Sequence, residues 1–136
     1  MQLGFVGLGR MGLNMVTRLV RGGHDIVAYD RSAEAIAKAT AALARGAASL
    51  NDLIGALEPP RAVWLMVPSG PPTESTVEML GRALSAGDVI VDGGNTNYRD
   101  DLRRADALAA KGIDYVDAGT SGGIWGLDEG YCLMVG

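Results

Sequence analysis

The run Gly7-Leu8-Gly9-Arg10-Met11-Gly12 has residue types and a spacing that suit anion binding. In a Gly-x-Gly-x-x-Gly loop, the first glycine permits a tight turn and the second lets the backbone approach a pyrophosphate. The third lets a helix pack closely against its strand. The free N–H groups at the start of that helix then bind the anion. We therefore predict that residues 7–12 bind the phosphates of a dinucleotide.

Asp30 lies 18 residues after Gly12 (30 minus 12), close to the spacing of about 20 at which dinucleotide-binding folds carry an acidic residue. Its carboxylate would accept hydrogen bonds from the adenosine ribose and repel the additional phosphate of NADP. Arg31 could stack on adenine or partly neutralise a 2′-phosphate. Alternatively, Asp30, Arg31 and Ser32 only begin a helix, where an acidic residue favours the dipole. We predict NAD as the cofactor, with NADP less favoured, and assign these three residues to its binding.

Two more polar stretches follow predicted strands. Val67 and Pro68 begin a proline-rich turn, and they are candidate cofactor contacts because ligands bind along the carboxyl edge of a parallel sheet. The turn could equally serve the backbone alone. In the stretch 92–97, paired glycines allow close approach to a ligand, and Asn95 offers a donor and an acceptor that suit a carboxamide or a sugar hydroxyl. The alternative is a glycine turn with an asparagine cap, so we predict Asn97 as the cap and Asn95 as the ligand contact.

A third glycine loop is predicted at Ala118-Gly119-Thr120-Ser121-Gly122-Gly123, after a strand at 115–117. Consecutive amides in such a loop form a nest that can hold a carboxylate, and the Ser121 hydroxyl would add a donor. Taken by itself, the stretch could be only a loop.

The sequence offers no convincing general base for hydride transfer. His24, the only histidine, is predicted in a turn on the edge away from the ligand, and Lys38 and Lys111 fall on helices. No cysteine and histidine cluster indicates a metal site. We therefore assign no catalytic residue to this chain and no metal.

The elements that would position these residues alternate along the chain. Short apolar runs predict strands at 3–6, 25–29, 62–67, 89–91, 115–117 and 131–135, and helical spacing predicts helices at 11–20, 33–44, 49–57, 72–84 and 97–110. Ser32 is the predicted N-cap of the second helix. Apolar runs without alternation favour a sheet covered on both faces. We predict an α/β fold of the Rossmann type: a doubly wound, mostly parallel sheet with helices on both faces.

Composition narrows the function classes. The 136 residues fit one domain, and a net charge of −4 gives no basic face for nucleic acid. Cys132 is the only cysteine, and no apolar stretch approaches the roughly 20 residues that cross a bilayer. Together with an N-terminus that lacks a signal peptide, this predicts a cytoplasmic protein that binds neither nucleic acid nor membrane. The chain ends directly after a predicted apolar strand, so residues 1–136 are expected to be a fragment.

Three stretches carry a resemblance to a known family. Gly7–Gly12 continuing into Leu13-Asn14-Met15, the run 92–98 and the run 119–126 resemble the 6-phosphogluconate dehydrogenases of the β-hydroxyacid dehydrogenase superfamily. The glycine motif and a Ser-Gly-Gly loop are shared across the superfamily. The runs Asp-Gly-Gly-Asn-Thr-Asn-Tyr and Gly-Thr-Ser-Gly-Gly-Ile-Trp-Gly are more specific and look like the decarboxylating, NAD-preferring type.

The resemblance implies oxidation of 6-phosphogluconate at C3 by NAD, decarboxylation, and protonation of an enediol to ribulose 5-phosphate. It implies that Asn95 contacts substrate and nicotinamide, and that Ser121, Gly122 and Gly123 bind the sugar-acid phosphate near its carboxylate. In the family, a lysine and a glutamate beyond the end of this chain carry the proton transfers, and a helical second domain completes a homo-oligomer. NADP-using members carry asparagine where Asp30 stands, which agrees with NAD use.

Two other functions compete with this one. Another β-hydroxyacid dehydrogenase, acting on 3-hydroxyisobutyrate or tartronate semialdehyde, would share the glycine motif and the Ser-Gly-Gly loop. A non-catalytic module that senses NAD would need only the cofactor site, and it would have no use for sugar-acid loops.

Overall fold

A computed structural model describes residues 1–136 and contains one seven-stranded sheet. The strands run in the order β3-β2-β1-β4-β5-β6-β7; the first six are parallel, and only β7 is antiparallel to its neighbour β6. Their bounds are β1 Gln2–Val6, β2 Asp25–Tyr29, β3 Arg45–Gly46, β4 Ala62–Leu65, β5 Val89–Asp92, β6 Asp114–Ser121 and β7 Cys132–Val135. The order reverses between β1 and β4, as in Rossmann-type folds. The predicted fold class is confirmed.

Helices cover both faces of the sheet: α1 Arg10–Arg21, α2 Ala33–Ala41, α3 Leu50–Gly55, α4 Pro71–Ala83, α5 Tyr98–Ala109 and the short α6 Gly126–Glu129, preceded by a 3₁₀ turn at Gly123–Trp125. Alternate residues of β1 point to opposite faces. Phe5 packs with Val16 of α1 in one buried cluster, whereas Val6 packs with residues of α3, α4 and α5 in the other. None of the helices combines the length and apolar character needed to span a membrane.

Most of the predicted elements are confirmed with small shifts at their ends. The bounds of β2 agree with the prediction, and Ser32 caps α2 by accepting a hydrogen bond from the Ala35 N–H at 3.3 Å. The helix α2 ends three residues earlier than predicted, because Leu43 adopts a left-handed φ of 72°. The helix α4 begins one residue earlier than predicted, and Pro71 and Pro72 form its first turn, where a missing N–H costs nothing. The two-residue strand β3 was not predicted.

The largest difference concerns the predicted glycine loop at 118–123. Residues 118–121 are not a loop: β6 continues to Ser121, and Ala118–Ser121 pair with Cys132–Val135 of β7. The predicted amide nest over the whole stretch is therefore wrong, because most of its backbone belongs to a strand. Only Gly122 and Gly123 lie beyond β6, and their φ angles of 148° and 48° favour glycine.

Candidate functional site

A cleft of about 650 Å³ lies at the carboxyl edge of the sheet. It contains eight of the predicted site residues: Gly7, Gly9, Met11, Asp30, Arg31, Val67, Pro68 and Asn95. The remaining lining residues are Val6, Tyr29, Met66, Pro72, Ser75, Thr76, Gly93, Gly94 and Thr120. The carboxyl ends of five neighbouring strands, β2, β1, β4, β5 and β6, thus contribute to one groove.

The glycine loop is fixed by close backbone packing. Gly7 has a φ of 96°, and a Cβ at this position would collide with the Met66 carbonyl. A Cβ at Gly12 would collide with the Gly7 carbonyl, so the third glycine lets α1 approach the turn itself as well as the strand. A Cβ at Gly9 would meet nothing within 4 Å. Gly9 therefore leaves room for a ligand, while the other two glycines leave room for the protein's own backbone.

The start of α1 faces this groove as an anion-binding end. The first intrahelical bond runs from the Leu13 N–H to the Gly9 carbonyl at 2.8 Å, so the amides of residues 10–12 have no acceptor inside the helix. No acidic side chain occupies the first turn, and the exposed Arg10 adds positive charge. The Leu8 side chain is buried outside the cleft lining.

Asp30 is tied directly to the glycine loop. Its Oδ2 accepts a hydrogen bond from the Leu8 N–H at 2.7 Å, and its Oδ1 accepts one from the Ser32 N–H at 2.8 Å. Each carboxylate oxygen can accept a further bond, so the group remains available to two ribose hydroxyls. Ser32 does not line the cleft, and its hydroxyl is occupied as the cap of α2. Asp30 therefore fixes the loop and faces the cleft at once.

The turn after β4 is held by a side chain of α4 and by close packing against the turn after β5. The fully buried Thr73 donates its hydroxyl proton to the Pro68 carbonyl at 2.8 Å. A Cβ at Gly94 would lie 2.5 Å from the Val67 carbonyl, which means that the turns after β4 and β5 pack backbone against backbone. Val67 and Pro68 thus form part of the cleft wall, and they belong to a turn held by packing and by the hydrogen bond from Thr73.

The turn after β5 is held by a polar network that the sequence did not reveal. Asp92 is fully buried and accepts hydrogen bonds from the Gly94 N–H at 2.8 Å and from Thr96 Oγ1 at 3.0 Å. The Tyr115 hydroxyl lies 2.9 Å from Asp92 and 2.8 Å from Asp101. Thr96 Oγ1 also lies 2.7 Å from Asp101. Two carboxylates from different elements therefore share two hydroxyl groups.

Arg104 balances part of this buried negative charge. It is only 3% exposed and lies 3.4 Å from Asp101 and 3.0 Å from Glu74. Burial, followed by the negative charge of Asp92, raises the pKa of Tyr115, so this hydroxyl keeps its proton. Burial also raises the pKa of Asp117, assisted by Asp101 and Asp92. No spacing rule in the sequence marks this cluster.

The network holds Asn95 where it lines the cleft. Asn95 is exposed and adopts a left-handed φ of 61°, between Gly94 and Thr96, both of which are hydrogen-bonded to Asp92. Asn97 caps α5 by accepting a hydrogen bond from the Arg99 N–H at 3.0 Å. The predicted division of roles is confirmed for the cap, and Asn95 lies where the predicted ligand contact requires.

The predicted substrate residues Ser121, at the end of β6, and Gly122 and Gly123, just beyond it, lie outside the cleft lining. Ser121 and Gly123 are exposed, and a Cβ at Gly122 would meet the Tyr131 ring at 2.8 Å. The preceding residue, Thr120, does line the cleft and was not predicted. Alternation along a strand could have indicated it, since Thr120 shares a face with the buried Ala118.

The histidine and the two lysines of the chain lie outside this groove. His24 lies at the opposite edge, where its Nδ1 is 3.2 Å from the terminal amine of Met1. Lys111 donates to the Gly81 carbonyl at 2.9 Å. No histidine or lysine lines the cleft, and no three acidic, histidine or cysteine side chains are grouped to hold a metal ion.

Comparisons with known proteins agree with this geometry. Residues 2–136 match the model of a family described as the NAD binding domain of 6-phosphogluconate dehydrogenase. The chain is 47% identical, over all of its 136 residues, to 44% of the NAD(+)-dependent, decarboxylating 6-phosphogluconate dehydrogenase of Haloferax volcanii. Over 98% of its length it is 40% identical to 29% of the decarboxylating enzyme of Haemophilus ducreyi. The chain thus spans less than half the length of these curated relatives.

A solved structure supports the same relationship. The 6-phosphogluconate dehydrogenase of Plasmodium falciparum, studied with NADP+ and with 6-phosphogluconate, superposes with a TM-score of 0.92 at 29% identity. The match covers 99% of this chain and 30% of that one. With the family model matched from β1 to the last residue, this chain belongs to the family of NAD binding domains of 6-phosphogluconate dehydrogenase.

Proposed function

We propose that the chain binds NAD along the carboxyl edge of its sheet. Asp30 would accept hydrogen bonds from the adenosine ribose, and the amides at the start of α1 would bind the pyrophosphate above Gly9. The nicotinamide would then lie toward Asn95. The observation that carries this proposal is the 2.7 Å hydrogen bond from the Leu8 N–H to Asp30, which fixes the ribose-binding carboxylate beside the phosphate-binding loop.

We further propose that the whole protein oxidises 6-phosphogluconate. A hydride would pass from C3 of the substrate to NAD, which becomes NADH, while the C3 hydroxyl loses its proton. The resulting β-keto acid would lose CO2, and the enediol would be protonated to ribulose 5-phosphate. The names of the relatives support this reaction, since the similarity covers the entire chain. Because no lysine or histidine lines the cleft, the proton transfers are assigned to residues outside this chain.

In this proposal the chain serves as the dinucleotide-binding domain, and it holds one side of the substrate. Asn95, Ser121, Gly122 and Gly123 would contact the sugar-acid phosphate. Ser121, Gly122 and Gly123 directly follow the cleft-lining Thr120 and lie outside the lining, so they would meet the substrate where it projects out of the groove. The whole protein is proposed to be a cytoplasmic homo-oligomer, as the family resemblance implies.

The preference for NAD over NADP follows from charge. A 2′-phosphate would approach the Asp30 carboxylate, whose two oxygens already accept backbone hydrogen bonds and cannot turn away without releasing the loop. Arg31 is exposed beside it and would favour the phosphate. The fixed carboxylate, which is nearer to the loop, decides the preference in this proposal.

Calorimetric titration of the chain with NAD and NADP tests the cofactor assignment. We expect tighter binding of NAD. Asp30→Asn should weaken NAD and improve NADP, each by about tenfold, which is the effect of one charged contact of about 1.4 kcal/mol. Asp52→Asn, on the exposed surface of α3, is the matched control. Equal affinity for both cofactors, or binding of neither, would contradict the assignment.

The reaction is tested separately with the protein that carries this chain. Purified protein supplied with NAD should release CO2 and ribulose 5-phosphate from 6-phosphogluconate. The opposite result is that the protein reduces NAD with 3-hydroxyisobutyrate, or with the hydroxy acid that corresponds to tartronate semialdehyde, and not with 6-phosphogluconate. That result would contradict the proposed substrate and leave the cofactor assignment intact.

A further inference from the structure

Thr120 lines the end of the cleft opposite Asp30, and the proposed function assigns no ligand contact to it. It is the last but one residue of β6, and it is partly buried on the same strand face as Ala118. The sheet order places β6 four strands from β2, which at about 4.8 Å per strand is roughly 19 Å from the Asp30 end. Any contact made by Thr120 therefore concerns the end of a bound molecule that is remote from the adenosine ribose.

The hydrogen bond that Thr120 already makes affects which hydrogen-bonding group its hydroxyl offers to a ligand. Its Oγ1 donates to the Ala118 carbonyl at 3.1 Å. A hydroxyl has one proton to donate and two lone pairs that accept. While that bond is kept, Thr120 offers a ligand an acceptor, and the group that matches it on the ligand is a donor.

The other side chains at this end of the groove restrict what that donor can be. Met11 and Met66 supply apolar parts of the lining, and Gly93 and Gly94 add no side chains to it. Asn95 is the other polar side chain at the ends of β5 and β6. A site with apolar walls, one amide and a hydroxyl that can accept suits a planar ring that carries a carboxamide.

We propose that Thr120 Oγ1 accepts a hydrogen bond from the carboxamide NH2 of the nicotinamide, and that it thereby orients the ring at the β5–β6 end of the cleft. This inference rests on the proposed binding of NAD. It assigns Thr120 a positioning role for the cofactor, because the carboxamide fixes which way the ring lies and so which face of the reactive carbon meets the substrate.

Two variants and three ligands test the inference on this chain. Thr120→Val removes the acceptor at nearly constant shape, and Thr120→Ser keeps it. Binding is measured by calorimetry for NAD, for its 3-acetylpyridine analogue, in which a methyl replaces the NH2, and for ADP-ribose, which lacks the ring. Thr120→Val should lose about fivefold in NAD affinity, the equivalent of one hydrogen bond of about 1 kcal/mol. Thr120→Ser should bind NAD as the unmodified chain does.

The other two ligands separate the inference from general effects on the fold. Affinity for ADP-ribose and for the acetylpyridine analogue should be the same in the unmodified chain and in Thr120→Val. Unchanged NAD affinity in Thr120→Val would overturn the inference, and so would an equal loss for all three ligands. If the unmodified chain bound neither NAD nor ADP-ribose, the proposed function itself would fail, which is a different result.

Discussion

The two halves of the cleft are held in place by different means. On the β1–β2 side, Gly7 packs against the Met66 backbone and Gly12 against the Gly7 backbone, and the Leu8 N–H donates to the Asp30 carboxylate. On the β5–β6 side, the turn that carries Asn95 rests on buried side chains: two hydroxyl groups join Asp92 to Asp101, and Arg104 contacts Asp101 directly.

The difference shows how each half can fail. A turn packed against backbone has no room for an added carbon, so it is sensitive to single atoms. The turn on the β5–β6 side depends in addition on carboxylates and a buried guanidinium, and every polar partner has to be present because an unpaired buried charge is costly. Variants on the β1–β2 side should therefore respond to added volume, and variants on the β5–β6 side to the loss of a polar partner.

Gly12→Ala should have the largest effect. The added Cβ collides with the Gly7 carbonyl, which is backbone and cannot rotate away, so α1 has to shift. We expect the free energy of unfolding to fall by about 2–3 kcal/mol, as for an overpacked core. The measurement is urea denaturation. Gly9→Ala, whose Cβ meets nothing within 4 Å, is the control and should lose no more than about 1 kcal/mol as a poorer N-cap. Similar losses of unfolding free energy in both variants would contradict the inference that Gly12 makes room for backbone and Gly9 does not.

Gly9→Val should separate binding from folding on the same side. Its side chain extends into the groove, where the proposed pyrophosphate lies above the start of α1. We expect the fold to persist and the affinity for NAD to fall by at least about tenfold, because the anion can no longer reach the amides. Circular dichroism checks the fold and calorimetry the affinity. Unchanged affinity would refute the location of the phosphates.

Tyr115→Phe should test the network on the other side. The phenyl ring fits the same space, but Asp92 and Asp101 each lose one hydroxyl partner while Thr96 still reaches both. We expect a loss of about 1 kcal/mol in the free energy of unfolding. Tyr98→Phe is the matched control, since that hydroxyl is exposed and contacts only Arg99, and it should change stability by less than about 0.5 kcal/mol. Equal losses of stability in the two variants would show that the buried Tyr115 hydroxyl contributes no more than the exposed Tyr98 hydroxyl.

Glu74→Gln should have the smallest effect and one that depends on pH. Hydrogen bonds from Arg103, with a further contribution from Arg104, lower the pKa of Glu74 from 4.5 to about 2. Its stabilisation is therefore complete above pH 4.5 and is lost as the pH falls toward 2. We expect Gln to cost less than about 1 kcal/mol at pH 7.

Denaturation at pH 7, 4.5 and 2.5 measures this change, and the gap between Glu74→Gln and the unmodified chain should narrow at the lowest pH. Glu78→Gln serves as the control, because its exposed pair with Arg82 is 3.8 Å long, so no such trend is expected. A gap that stays constant down to pH 2.5 would show that the carboxylate of Glu74 does not take part as an ion.

The sequence alone determined what depends on local conformation. The glycine spacing, the acidic residue at the end of β2, the caps Ser32 and Asn97, and the alternation of strands and helices are each set by residues close together in the chain. Glycine at 7 could be predicted because its φ of 96° favours glycine, and glycine at 12 because a Cβ there would collide with the carbonyl of the nearby Gly7.

Only the tertiary structure decided what depends on distant residues. Tyr115 meets Asp92 from 23 positions away and Arg104 meets Glu74 from 30, so neither pair has a local spacing to recognise. The extension of β6 to Ser121 requires β7 as a partner, and that pairing puts Thr120 in the cleft while Ser121–Gly123 lie outside it. Such contacts form between separate strands and helices once the sheet has assembled, which is why no pattern along the chain predicted them.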